Sequence, residues 1–205
     1  MTKKKDVLQP SLWTARPVEE TISVYAAWAD TYDAEVQARG YRTPARLAAA
    51  LAQHAQLDAE ILDFGCGTGI GGAALHKAGF AQMDGTDVTV EMLEIAAETG
   101  LYDKTWLSTP GALSFAKGDY DVIVAVGVIS LGAAPPETLA PLVAKLATGG
   151  LLALSYNGPT LEDESYANAL GTEVSAGHVE VIFREHGPHL EDVGMGSDVI
   201  ILRRR

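Results

Sequence analysis

Apolar residues recur along this chain in two rhythms, one spaced by three and four positions and one of short unbroken runs. Between Pro17 and Gly40, Ile22, Tyr25, Ala29, Tyr32 and Val36 follow the first rhythm, which predicts a helix with those side chains on one buried face. Glu19 and Glu20 suit the positive end of its dipole, and Gly40 supplies a stop. Thr43-Pro44 predicts a second helix start, a hydroxyl cap followed by proline in the first turn, with Leu47 and Leu51 as the buried side.

The unbroken runs predict strands. Ile61, Leu62 and Phe64 mark the first, with Asp63 close to its carboxyl end. A helix through Ala73, Ala74 and Leu75 ends at Gly79, and its small residues permit close packing on a sheet. Phe80 to Asp87 reads as the second strand, followed by a helix starting near Thr89; a short third strand lies near Thr105 to Leu107. The β-branched run inside Gly118 to Gly127 suits a central parallel strand buried on both faces. A loop with Gly132, Pro135 and Pro136 leads into a helix from about Thr138, whose first turn tolerates Pro141. Gly149-Gly150 then precedes a fifth strand, Leu151 to Tyr156. A helix around Asp163 to Leu170 and two runs, Val179 to Arg184 and Val199 to Leu202, complete the pattern. No repeat or linker divides the chain, which predicts one domain: a polar arm over 1–16, a helical cap over 17–55 and a core over 60–205.

Composition narrows the class. The 205 residues are enough for one domain with a sizeable core. With 15 basic and 27 acidic side chains the net charge is -12, which argues against nucleic acid or an anionic membrane as the main partner. No apolar run approaches membrane-spanning length, and Met1 to Lys5 are not followed by an apolar signal region. A single cysteine fits a reducing compartment. The expectation is a soluble cytoplasmic protein, with Lys3 to Lys5 a solvated terminus and Arg203 to Arg205 a solvated tail.

The chemistry concentrates where the first strand meets Gly65, Gly67 and Gly69. Glycine accepts positive φ and has no Cβ, so such a turn bends sharply and lets a ligand lie against bare backbone. The helix beyond it offers unpaired N–H groups and a positive dipole end. Gly67-x-Gly69-x-x-Gly72 satisfies a dinucleotide pattern, which keeps an NAD(P)-dependent oxidoreductase open as an alternative. Asp63 separates the readings: a carboxylate at the strand end repels a pyrophosphate and suits a cationic amino-acid tail. Asp87 lies 20 positions after Gly67, about where an acid reaches ribose hydroxyls in doubly wound nucleotide sites. Its other role would be to cap the helix starting near Thr89; Thr89 as the cap would free Asp87 for the ligand. His186 and His189 suggest a metal pair, but the intervening Gly187-Pro188 prevents helical pairing and no carboxylate cage is evident. They are given a structural or substrate-facing role.

Asp63 to Gly69 resembles, position by position, the signature of the class I S-adenosylmethionine (SAM) methyltransferases. Tyr25-x-x-Trp28-Ala29-x-x-Tyr32-Asp33, Gly40-Tyr41-Arg42-x-Pro44, Asp87-Val88-Thr89-x-x-Met92-Leu93-x-x-Ala96 and Val126-Gly127-Val128 follow in family order. The chain looks closest to the small stand-alone members related to the Williams–Beuren region methyltransferase-like proteins. The resemblance implies an α/β fold, a doubly wound, mostly parallel seven-stranded sheet with an antiparallel C-terminal hairpin. It implies SAM as cofactor and S-adenosylhomocysteine as product.

Carried over, the family's cofactor contacts fall on Tyr32, Asp63, Gly65, Cys66, Gly67, Gly69, Asp87, Val88, Met92, Thr109, Gly127 and Val128. Val88 would pack on adenine, and Thr109 stands where many members carry an acid for the adenine amino group. Cys66 reads as a small turn residue rather than a nucleophile. Gly127-Val128-Ile129-Ser130 lacks the segment by which base-modifying members bind an amine, which disfavours nucleic-acid bases. The implied reaction is methyl transfer to an oxygen, nitrogen or carbon of a small molecule. A catalytically silent SAM-binding protein is the other alternative. Tyr32, Tyr156 and His189 are candidate bases among which the sequence does not choose.

Overall fold

A computed structural model describes residues 10–205, with side chains from Leu12 onward; Lys3 to Lys5 lie outside the described residues. After a 3-10 turn at Pro10–Trp13 come α1 (Val18–Ala38), α2 (Thr43–Leu51), β1 (Ile61–Phe64), α3 (Ile70–Lys77), β2 (Met83–Asp87), α4 (Val90–Glu98) and β3 (Lys104–Leu107). They are followed by β4 (Val122–Ala125), α5 (Leu139–Lys145), β5 (Leu151–Asn157), α6 (Gly158–Glu162), α7 (Glu164–Ser175), β6 (Val179–Leu190) and β7 (Met195–Arg204). The seven strands form one sheet in the order β3-β2-β1-β4-β5-β7-β6. Strands β1 to β5 are parallel, while β7 runs antiparallel between β5 and β6.

The unbroken apolar runs exist because both faces of the sheet are covered. Val122 and Val124 of β4 face a layer holding Leu47 and Leu51 of α2 and Leu75 of α3. Ile123 and Ala125 face Leu139, Leu142 and Val143 of α5 and Tyr166 and Leu170 of α7. Each fully buried aliphatic side chain contributes roughly 1.5–3 kcal/mol. Asp63 shares the face of Ile61, two positions earlier, and so points under α3.

Several local expectations change. Of the predicted stripe on α1, Ala29 and Val36 are buried, whereas Ile22, Tyr25 and Tyr32 are only half-buried. Trp28 is buried instead, its indole N–H donating to Glu35 at 2.9 Å. Thr43 does not cap α2: it stands inside the helix after Arg42, and its hydroxyl is committed to His189 and Ser197. Within the span 17–55, α2 packs on the sheet beside α3. The arm over 1–16 is not simply polar, since Leu12 is buried with Trp28 and Val36. Phe80 precedes β2 rather than opening it, yet is fully buried. Arg203 and Arg204 are sheet residues of β7, and Arg205 pairs with Glu180 at 2.9 Å, so this end is not a solvated tail.

Candidate active site

The strand order reverses between β1 and β4, which lie side by side and parallel with Asp63 opposite Val124. Ligands of doubly wound sheets bind at such a point, outside the carboxyl ends of the strands. The loops leaving the two strands touch: a Cβ on Gly65 would meet Val128 Cγ2 at 2.5 Å. Gly65, Gly67 and Gly69 all adopt positive φ (74°, 55° and 97°). They differ in their surroundings, for a Cβ on Gly67 would meet no described residue within 4 Å. The middle glycine therefore presents an open backbone face.

Asp87 holds this turn. Its Oδ2 accepts from Gly67 N–H at 2.9 Å, and its Oδ1 from Thr89 N–H at 2.8 Å. Thr89 makes no side-chain capping bond, so it does not free Asp87; the carboxylate itself ties the glycine turn to the start of α4. Burial pushes its pKa up, against the pull of the Thr89 and Gly67 N–H groups.

Asp63 is fully buried. Tyr102, between α4 and β3, donates its hydroxyl to Asp63 Oδ2 at 2.8 Å, while Oδ1 has no hydrogen-bond partner among the described residues. Burial pushes this carboxyl up to about 6; the Tyr102 bond opposes the rise and the Asp87 charge adds to it. Gly72 makes room for Tyr102, since a Cβ there would lie 2.3 Å from the phenol oxygen. Thr68 donates to Asp33 Oδ1 at 2.5 Å, fastening α1 to the glycine turn.

A cavity of about 50 Å³ opens beside Gly127, walled by Leu12, Trp13, Trp28, Tyr32 and Tyr41 with Asn157 and His189. None of the three candidate bases is poised near neutrality. Burial raises Tyr32 well above the ordinary phenol range and raises Tyr156 to about 12. Burial, helped by the Arg46 charge, lowers His189 to about 4. Tyr156 also packs in the layer with Tyr166 rather than against the cavity.

The turn and its flanks thus bring together Asp63, Gly65, Cys66, Gly67, Gly69, Asp87 and Val128, and the cavity joins Tyr32 to Gly127. Val88 is half-buried just past Asp87, and Met92 is buried in α4. Thr109 is exposed in a turn, whereas its neighbour Ser108 is buried and bonds through its N–H to the Asp87 carbonyl at 2.8 Å. Cys66 packs with Leu93, Ala96 and Tyr102, and burial pushes its thiol up, away from the reactive thiolate. Asp33, Tyr102, Asn157 and the partners of His189 were not legible as site residues. Only Asp33, next to Tyr32 in a recognised motif, carried any local signal.

A profile described as "Methyltransferase domain" matches residues 32–187. The chain is 35% identical to human methyltransferase-like protein 27 over 144 residues, covering 66% of this chain and 57% of the relative. It is 36% identical to the ribosomal protein L11 methyltransferase of Shewanella halifaxensis over 101 residues, 47% of this chain and 33% of that protein. The chain thus spans between a third and somewhat over half of these relatives' lengths. A SAM-dependent methyltransferase structure from Methanosarcina mazei superposes with a TM-score of 0.59 at 18% identity, covering 76% of this chain and 96% of that one.

Proposed function

The chain belongs to the methyltransferase-domain family, and from that footing we propose that it transfers a methyl group from SAM to an oxygen, nitrogen or carbon of a small-molecule acceptor. The observation that carries the reading is the pairing of Gly67's open backbone with the unpartnered Oδ1 of buried Asp63. A buried carboxylate oxygen without a donor is costly. The ammonium of a SAM tail would supply that donor, directly or through a water. The same charge disfavours a diphosphate, and Gly72, the last glycine of the dinucleotide pattern, is taken up by packing under Tyr102.

In this reading the Gly65, Cys66, Gly67 and Gly69 backbone and Asp63 hold the amino-acid tail. Asp87 receives ribose: its carboxylate, which already holds the Gly67 and Thr89 N–H groups, is an acceptor suited to a pair of hydroxyls. Val88, Met92 and Thr109 are assigned to adenine, and Tyr32, Gly127 and Val128 to the end facing the acceptor. When bound, SAM supplies a methyl group made electrophilic by its sulfonium. The chain's own contribution is to align the nucleophile and exclude water, with the Trp28 and Tyr32 rings closing the cavity.

Calorimetric titration with SAM, S-adenosylhomocysteine and NADH tests this reading. Binding of the first two and not the third is expected, with S-adenosylhomocysteine released in the presence of an acceptor. Binding of NADH alone overturns it.

A further inference from the structure

Among the described residues the cavity beside Gly127 holds side-chain donors and no base poised near neutrality, and a buried relay sets this character. Arg46 can only donate, and one of its N–H groups reaches Ser197 Oγ at 3.2 Å. Ser197 Oγ has one other partner among the described residues, Thr43 Oγ1 at 2.7 Å, so the arrangement that leaves no buried hydroxyl proton unpaired sends its proton there. Thr43 then has its own proton left for His189 Nδ1 at 2.8 Å. Donor counting along Arg46, Ser197, Thr43 and His189 leaves the imidazole proton on Nε2. That edge of the ring hydrogen-bonds no described residue, and His189 lines the cavity.

Asn157 repeats the pattern. Its Oδ1 accepts from Thr160 N–H at 3.1 Å and from the Thr160 hydroxyl at 2.7 Å, which fixes the amide and leaves the Nδ2 donors uncommitted at the cavity wall. No Asp, Glu, Lys or Arg lines the cavity among the described residues. Its volume admits only a few waters, at on the order of 10–15 Å³ each, or a group of similar size.

We propose that the methyl acceptor is a small carboxylic acid, bound as its carboxylate with His189 Nε2–H and Asn157 Nδ2 as donors beside Gly127. This rests on the SAM-dependent reading above. A carboxylate needs no base: one oxygen uses a lone pair to form the O–CH3 bond, the S–CH3 pair leaves with sulfur, and no proton moves. The products are a methyl ester and S-adenosylhomocysteine. An ammonium acceptor would instead have to lose a proton, and none of the described side chains lining the cavity is a base poised near neutrality. His189 is thus a substrate-positioning donor, with Arg46 acting on it through Ser197 and Thr43.

Long-range proton–nitrogen NMR on the intact protein tests the tautomer, and propionate, propionamide and propylamine serve as matched probes after SAM binding has been measured. A protonated Nε2 on His189, moved by propionate more than by propylamine, together with base-labile methyl incorporation into propionate, is the expected result. A protonated Nδ1, or methylation of propylamine in preference to propionate, overturns the proposal while leaving SAM binding intact. Failure to bind SAM at all overturns the parent reading instead. His189→Gln, which keeps a donor, should retain more propionate response than His189→Ala, and equal loss in folded protein counts against positioning by donation.

Discussion

The Tyr102 hydroxyl donates to Asp63 Oδ2 at 2.8 Å, and it is the one side-chain donor among the described residues to this buried carboxylate. Tyr102→Phe removes it and leaves the carboxylate with no side-chain donor among the described residues. Denaturant unfolding at neutral pH should show a loss of about 1–3 kcal/mol. The Asp63 carboxyl, followed by carbon-13 NMR, should titrate above its wild-type midpoint.

Asp63 itself makes stability depend on pH with a definite sign. Its folded pKa is about 6 against an ordinary 3.8, so between those values the native chain binds the proton more tightly. The stabilisation from holding that proton is full below 3.8 and lost as pH rises through 6, by an amount on the order of 3 kcal/mol. Asp63→Asn should flatten this part of the pH–stability curve and be no less stable than wild type at pH about 8. The same variant should bind SAM at least tenfold more weakly, because the proposed partner of the ammonium loses its charge. Wild-type SAM affinity should likewise fall as pH drops below about 6, as measured by calorimetry.

Asp87→Ala removes the acceptor of two backbone N–H groups at once. Leaving buried N–H groups without their charged acceptor costs about 1–3 kcal/mol each, at Thr89 and at Gly67. Asp87→Asn keeps one acceptor oxygen and should recover part of the stability, as read from urea midpoints. SAM affinity should fall strongly in the alanine variant, and unchanged affinity would contradict the ribose assignment.

Alanine at Gly65 and at Gly67 should behave differently although both φ values are positive. At Gly65 the new methyl strikes Val128, so the fold is expected to suffer beyond the roughly 1–2 kcal/mol of left-handed strain. At Gly67 the methyl meets no described residue, so only the strain term applies. Its effect should appear instead as weakened SAM binding, measured by titration on folded protein.

The parallel sheet was legible because a strand covered on both faces must be apolar throughout, and Val122 to Ala125 is so without exception. The glycine turn was legible because its backbone needs residues without a Cβ. What the chain's order concealed were contacts between distant segments. Thr43 has the look of a helix cap, and only the approach of His189 and Ser197, 146 and 154 positions away, gives its hydroxyl other work. Tyr102 sits in a stretch with no motif, and its role arises because α3 carries Gly72 where the ring must pass. Thr89 before a helix was a sound local choice for a cap, but its side chain makes no capping bond and its own N–H is held by the buried carboxylate two residues earlier.

The insertion of β7 between β5 and β6 has a consequence for how the chain is made. A ribosome releases both neighbours before the strand that joins them, so a nascent chain carries two unpaired ladders at once. The Leu151–Asn157 segment, wholly apolar on both sides up to Leu154, would then be a sticky template for another copy. Cellular yield should accordingly depend on how quickly residues 195–204 emerge and close the gap, and a synonymous slow-translating stretch placed just before them should raise aggregation without altering the mature protein.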